Sequence, residues 1–268
     1  MMIALHARRS AASIARYAEA YPQRPLVLVL TGTDIYRDIR SDVHAQRSLA
    51  LASRLVVLEP EGLHELSAEQ VARTTVIRQS ARILKPGSRS RRHFDMALVG
   101  HQRPEKDPLT AVRALLRLPV ERTVRLFHIG AALDAKLATE VLALGGRDHR
   151  YHWLGALSQA ATRQRVKRCH LLLLPSLMEG GANVLIEAVT SGVPVLGSDI
   201  PGNRGMLGAD YPGWFPVGDD ARLAQLIQRA MDDPAYYATL SRCCAERVSL
   251  FSPDRECAAV RGIQGMTR

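Results

Sequence analysis

Glu179-Gly180-Gly181-Ala182-Asn183 follows a run of unbroken leucines, Leu171–Leu174, then Pro175 and Ser176, and leads into a stretch of small residues that carries Glu187. Glycines in such a loop let the backbone approach a ligand closely. The free amides of a helix starting near Asn183, with their partial positive charge, suit a diphosphate. Glu179 lies in the loop, where it can reach toward a sugar; Glu187, two turns into the helix, can reach back toward a ribose. The bare spacing of two glutamates also occurs on solvated helices, so its information lies in its position at the carboxyl end of a buried strand, where open α/β sheets bind ligands. Two further segments, His6-Ala7-Arg8-Arg9 and Thr31-Gly32-Thr33-Asp34, also end apolar runs. Arg8, Arg9, Thr31, Gly32 and Thr33 offer guanidinium, hydroxyl and backbone donors suited to a small oxyanion. Read alone, the arginines could equally begin a helix and Thr33-Asp34 turn the chain.

The elements that must position these residues alternate short Val/Ile/Leu runs with amphipathic stretches, the pattern of parallel strands joined by crossover helices. The fold class is α/β. Strands are predicted at Ile3–His6, Leu26–Thr31, Leu55–Leu58 and Thr75–Ile77, with helices at Ser10–Ala20 and Asp38–Leu51. Residues 81–93, rich in Pro, Gly, Ser and Arg without apolar periodicity, read as a linker. The alternation resumes with strands at Phe94–Gly100, Val124–Ile129, Tyr151–Leu154, His170–Leu174 and Pro194–Gly197. Helices are predicted between them at Pro108–Leu118, Asp134–Leu144, Ser158–Arg168 and Asn183–Ser191. A helical tail from Asp220 restarts at the prolines Pro234 and Pro253. The expected organisation is a first lobe over 1–80, the linker over 81–93, a second lobe over 94–250, and a C-terminal helix over 251–268. The first lobe lacks the strand, glycine turn and helix that normally open a doubly wound unit, and an omitted segment is the expected reason.

The chain has 268 residues, 47% hydrophobic and 23% charged, without an apolar run near the ~20 residues that span a bilayer. Its 5% aromatic content argues against base stacking on single-stranded nucleic acid. Net charge is +10, and only Lys85, Lys106, Lys136 and Lys167 are lysines, so the basic charge is mostly guanidinium. Cys169, Cys243, Cys244 and Cys257 form no CxxC pair, and the N-terminal apolar stretch is too short for a secretory signal; a reduced, cytoplasmic protein is expected. GxGxxG, GxxxxGK[ST] and HExxH are absent, as is zinc-type Cys/His spacing, which removes the usual fingerprints of dinucleotide, P-loop and zinc enzymes.

The whole second lobe resembles the retaining-type GT-B glycosyltransferases often called family 4, on the segment from Glu179 to Glu187 leading to Ser191-Gly192-Val193-Pro194 and on Val99-Gly100-His101-Gln102-Arg103-Pro104-Glu105-Lys106. The resemblance implies two Rossmann-like lobes, a nucleotide-sugar donor held by the second, an acceptor in the first, and a C-terminal helix over 251–268 that crosses back to the first lobe. Arg103 and Lys106 match the cations that clamp the diphosphate and stabilise the departing nucleoside diphosphate electrostatically. Gly100, Glu179, Gly180, Gly181, Ala182, Asn183 and Glu187 complete the implied donor site. His6 matches a first-lobe histidine near the transferred sugar, able to orient a hydroxyl or act as acid or base. No Asp-x-Asp occurs, so neither a metal nor any other cofactor is expected. The strings LHARRSA, VLTGTDIYRDI, LEPEGLHEL and VGHQRPEKDP are similar, more narrowly, to the selenosugar synthases. That likeness implies UDP-N-acetylglucosamine as the donor, selenophosphate as the acceptor, held by Arg8, Arg9 and the Thr31-Gly32-Thr33 turn, and UDP as the leaving group. A conventional hydroxyl acceptor is the alternative, and a non-catalytic nucleotide or nucleic-acid binding module the alternative of another class.

Overall fold

The computed structural model describes residues 1–266; residues 267 and 268, the end of the predicted C-terminal helix, lie outside the described residues. Two parallel sheets form, each where the sequence places unbroken apolar runs. The first has four strands in sequential order: β1 (Met2–Leu5), β2 (Leu26–Val29), β3 (Arg54–Val57) and β4 (Thr74–Val76). Helices α1 (Ala11–Ala20), α2 (Ile39–Ser41), α3 (Val43–Leu51) and α4 (Ala68–Ala72) connect them. The single helix predicted over Asp38–Leu51 is broken. A π-type turn over Asp34–Asp38 precedes α2, and at Asp42 the backbone turns extended (ψ 117°) so that its carboxylate accepts the first free amides of α3, from His44 and Ala45. Asp, Asn, Ser and Thr favour such N-caps because their side chains satisfy amides the helix leaves orphaned.

The second sheet has six strands in the order β10-β9-β8-β5-β6-β7. Its elements are β5 (Phe94–Val99), α5 (Pro108–Arg117), β6 (Val124–Ile129), α6 (Ala135–Gly145), β7 (Tyr151–Trp153), α7 (Gln159–Val166) and β8 (Leu171–Leu174). After them come α8 (Asn183–Val189), β9 (Val195–Ser198), α9 (Pro201–Leu207) and β10 (Trp214–Phe215), then α10 (Asp220–Asp232), α11 (Pro234–Arg247) and α12 (Pro253–Met266). From β5 the chain winds outward through β6 and β7, then returns to lay β8 on the other side of β5, with Met96 paired to Leu171. The reversal leaves a crevice at the carboxyl ends of β5 and β8, the topological switch point where α/β sheets take ligands. Central strand β8 is buried on both faces, which is why it reads as four leucines.

Each lobe has its own core, one around Leu28, Leu55 and Ile35, the other around Leu115, Leu126, Leu172 and Phe215. A third cluster joins Val27, Val56 and Ile77 to Ile263, so α12 packs on the first sheet after leaving the second lobe. Residues 77–93 carry neither helix nor strand, yet they are strapped to the second lobe: Leu84 N–H donates to Thr190, Gly87 N–H to Lys167, and the Arg89 guanidinium to Tyr237 and Gly192. Between the lobes, Gly32 and Gly180 meet backbone to backbone. A Cβ on Gly180 would stand 2.5 Å from Gly32 N, and one on Gly32 2.8 Å from Gly180 N.

Candidate active site

A cleft of about 510 Å³ opens between the lobes, within the ~300–1,000 Å³ typical of small-molecule sites. The first lobe lines it with His6, Arg9, Thr31, Gly32 and Thr33, the second with Gly100, Arg103, Lys106 and Glu179 to Asn183. Most of the residues singled out in the sequence therefore meet in one place.

On the second lobe, the loop after β5 makes one short 3-10 turn, Pro104–Lys106, and ends at Asp107, whose left-handed backbone (φ 39°) lets its carboxylate cap α5 through Thr110. That turn lays the Lys106 stem against Gly100, where a Cβ would stand 3.2 Å from Lys106 Cγ. The ammonium then crosses to the loop after β8: Lys106 Nζ donates to Glu179 Oε1 at 2.5 Å, and Ser176 Oγ donates to the same oxygen at 2.6 Å. Glu179 is 7% exposed, so the pair sits in a low-dielectric wall where the interaction is strengthened. Arg103 differs. Its guanidinium carries no ion pair among the described residues, and its buried Nε has no hydrogen-bond partner. The loop thus holds one cation paired with a carboxylate and one without an ion pair among the described residues. His128, on β6 beneath Gly100, has its ring between Tyr151 OH (2.8 Å) and Gly100 O (3.3 Å); burial pushes its pKa down to about 4.

On the first lobe, strand β1 stops at Leu5, one residue before the predicted end, because His6 adopts a left-handed backbone (φ 71°). Asp34, fully buried, fastens this corner by accepting from Ala7 N–H (2.8 Å), Thr31 N–H (2.7 Å) and Thr31 Oγ1 (2.7 Å). His6 Nδ1 accepts from Arg9 N–H (3.3 Å), which places the proton of the neutral ring on Nε2, 2.9 Å from Thr33 Oγ1. Burial lowers its pKa below the ordinary value, against the opposing pull of Asp34, so the ring is neutral near pH 7.

Three residues stand differently from expectation in the ligand-free protein. Arg8 does not line the cleft: its Nε donates to Asp38 Oδ2 at 2.8 Å and it borders a separate cavity, whereas Arg9, without that carboxylate, borders both. The Thr31 hydroxyl lines the cleft but is committed to Asp34 and is no free donor. Glu187 does not line the cleft; it stands one turn behind Asn183 on the same face of α8, 7% exposed, its Oε1 accepting from Gln159 Nε2 at 2.8 Å. Sequence reasoning also missed Gln79, which lines the cleft with a buried Oε1 that has no partner and stands 3.0 Å from where a Cβ on Gly181 would be. Nothing in its local sequence marks it, since it lies in an irregular segment whose path only the fold reveals. Among the described residues no group of three His, Cys, Asp or Glu is placed to hold a metal ion, and no helix is long and apolar enough to cross a membrane.

Comparison with known proteins places this geometry in context. The model of the family described as "Glycosyl transferases group 1" matches residues 84–246, which contain the whole second half of the cleft. A Xenopus tropicalis protein, "Glycosyltransferase 1 domain-containing protein 1", is 25% identical over 232 residues, 78% of this chain and 67% of that protein. Among solved structures, Anabaena Alr3699/HepE in complex with UDP and glucose superposes with a TM-score of 0.81 at 19% identity, covering 95% of this chain and 76% of that one. The pneumococcal O-GlcNAc transferase GtfA, in complex with UDP and GlcNAc, superposes at 0.72 with 17% identity, covering 94% and 54%. The similar structures are GT-B enzymes, and the fold is GT-B.

Proposed function

The chain belongs to the glycosyl transferases group 1 family, and we propose that it is a selenosugar synthase, moving the N-acetylhexosamine of a UDP-sugar onto selenophosphate and releasing UDP. It is a glycosyltransferase. The observation that carries the donor half of the reading is the unpaired Arg103 guanidinium beside the Lys106–Glu179 pair at the switch point of the second sheet. The diphosphate takes Arg103, and Lys106 turns from Glu179 toward it, freeing the carboxylate to accept hydroxyls of the sugar. Gly180 and Gly181 admit the sugar against the backbone, and Glu187 reaches the ribose once Gln159 gives it up. Relatives whose structures hold UDP, with glucose or with GlcNAc, support a uridine nucleotide.

The acceptor half rests on Arg9, which faces the cleft without an ion pair among the described residues, and on the Gly32-Thr33 turn beside it. A small dianion such as selenophosphate fits that chemistry. The selenium lone pair forms the bond to the anomeric carbon while that carbon's bond to the diphosphate oxygen breaks and its electrons pass to UDP. No proton has to be removed from selenium, so catalysis consists of positioning and leaving-group stabilisation by Arg103 and Lys106. His6 at the cleft also suits a hydroxyl acceptor, the second reading, because its neutral ring beside Thr33 can orient that hydroxyl.

The test is an anaerobic incubation of the chain with UDP-N-acetylglucosamine, with and without selenophosphate, following UDP by chromatography and the sugar by selenium-77 NMR. Selenophosphate-dependent UDP release with a carbon-bound selenium signal is expected. UDP release only with an added alcohol or sugar acceptor would replace selenophosphate with a hydroxyl. No release with any acceptor would contradict both readings.

A further inference from the structure

Behind the first lobe's half of the cleft lies a second cavity of about 400 Å³, walled by the residues that open α1 and by one face of α3. It is lined by Ala11, Ala12 and Ala15 with Arg8 and Arg9 from the α1 side, and by Ser48 and Leu51 with His44 and Arg47 from α3. No carboxylate lines it. Arg8 is balanced by Asp38 outside the cavity, but neither Arg9 nor Arg47 makes an ion pair among the described residues. Two guanidiniums without ion pairs and a histidine around one concave space raise the local potential, and planar guanidinium forks match a tetrahedral oxyanion.

We propose that this cavity is a second oxyanion site that takes a phosphate-type dianion between Arg9 and Arg47. Arg9 borders both cavities, so an anion here draws the same guanidinium that faces the acceptor side of the cleft. Phosphate in the outer cavity therefore weakens oxyanion binding in the cleft, a coupling that must be reciprocal. The site itself does not depend on the donor or acceptor assigned above.

The experiment is a calorimetric titration of the full chain with inorganic phosphate, against sodium chloride of equal ionic strength, on the wild type, Arg47→Ala, Arg47→Gln and Arg103→Ala. Each protein is also titrated with UDP, which reports a folded second lobe. Phosphate is expected to bind the wild type with one site, to bind both Arg47 variants at least tenfold more weakly while their UDP response is unchanged, and to bind Arg103→Ala as it does the wild type while UDP is lost. Three outcomes overturn the proposal: equal heat from chloride, wild-type phosphate affinity in both Arg47 variants, or loss of phosphate binding in Arg103→Ala, which would put the phosphate in the cleft. Binding to phosphatidylglycerol vesicles with none to free phosphate would also overturn it, in favour of a membrane-facing basic patch. A wild type that binds phosphate but not UDP would contradict the donor assignment and leave this site standing.

Discussion

Arg103 and Lys106 stand three residues apart yet differ in the free protein, one unpaired and one held by Glu179. The account makes Arg103 the larger contributor to leaving-group stabilisation. Arg103→Ala should lower kcat/KM at least 100-fold, about 2.7 kcal/mol of transition-state stabilisation, with little change in melting temperature. A loss within threefold in steady-state kinetics would refute that role. Gln79 likewise has a buried atom without a partner, an acceptor oxygen that the free protein leaves unsatisfied and a ligand can satisfy. Gln79→Leu should keep stability within about 1 kcal/mol of the wild type, or raise it, while KM for the donor rises at least fivefold. Lower stability with unchanged KM would make Gln79 structural. The sequence disclosed Arg103, Lys106 and Glu179 because motif order fixes them at strand ends. It did not separate Arg8 from Arg9, because nothing local in the sequence shows that Asp38 holds Arg8 and leaves Arg9 to the cleft.

At the scale of elements, close approach of backbones decides which loops can form the cleft. Gly180→Ala places a methyl group against Gly32 N and Thr31, so the two loops must part. Activity should fall at least tenfold while the second lobe's stability, read by denaturant unfolding, changes by less than about 1 kcal/mol; wild-type turnover would mean that the loops need not touch. Strand β6 supplies a pH dependence through His128. Its pKa is about 4 in the fold against an ordinary value of 6.5, so above pH 6.5 the folded and unfolded states are alike at this site. As pH falls from 6.5 toward 4, the unfolded chain binds a proton that the folded one refuses, and stability declines by up to about 3 kcal/mol. Urea unfolding across that range should show the slope in the wild type and a flatter one in His128→Gln; identical slopes would remove His128 as its source. Elements with a strong apolar signal, such as the unbroken leucines of β8 and the amphipathic α10, were legible in the sequence. Short elements such as β10, α9 and the π-type turn at Asp34–Asp38 were not, because two to seven residues carry too little periodicity and are held by tertiary contacts instead.

For the molecule as a whole, the lobes are joined by the Gly32–Gly180 contact, by Arg37 Nη1 to Glu105 Oε1 at 3.2 Å, and by α12 on the first sheet. The irregular segment 77–93 reads as a free linker from composition alone, but its hydrogen bonds to Thr190, Lys167, Tyr237 and Gly192 tie it to the second lobe, a relationship no local sequence pattern encodes. The central claim is that the cleft is a nucleoside-diphosphate site whose affinity depends on Arg103. Its most direct test is the stabilisation of the full chain by UDP compared with AMP, measured on the wild type and Arg103→Ala. UDP at 100 times its dissociation constant should add about 2.7 kcal/mol to the wild type, AMP far less, and Arg103→Ala should lose the UDP effect. Equal stabilisation by AMP, or a UDP effect undiminished in Arg103→Ala, would contradict the account.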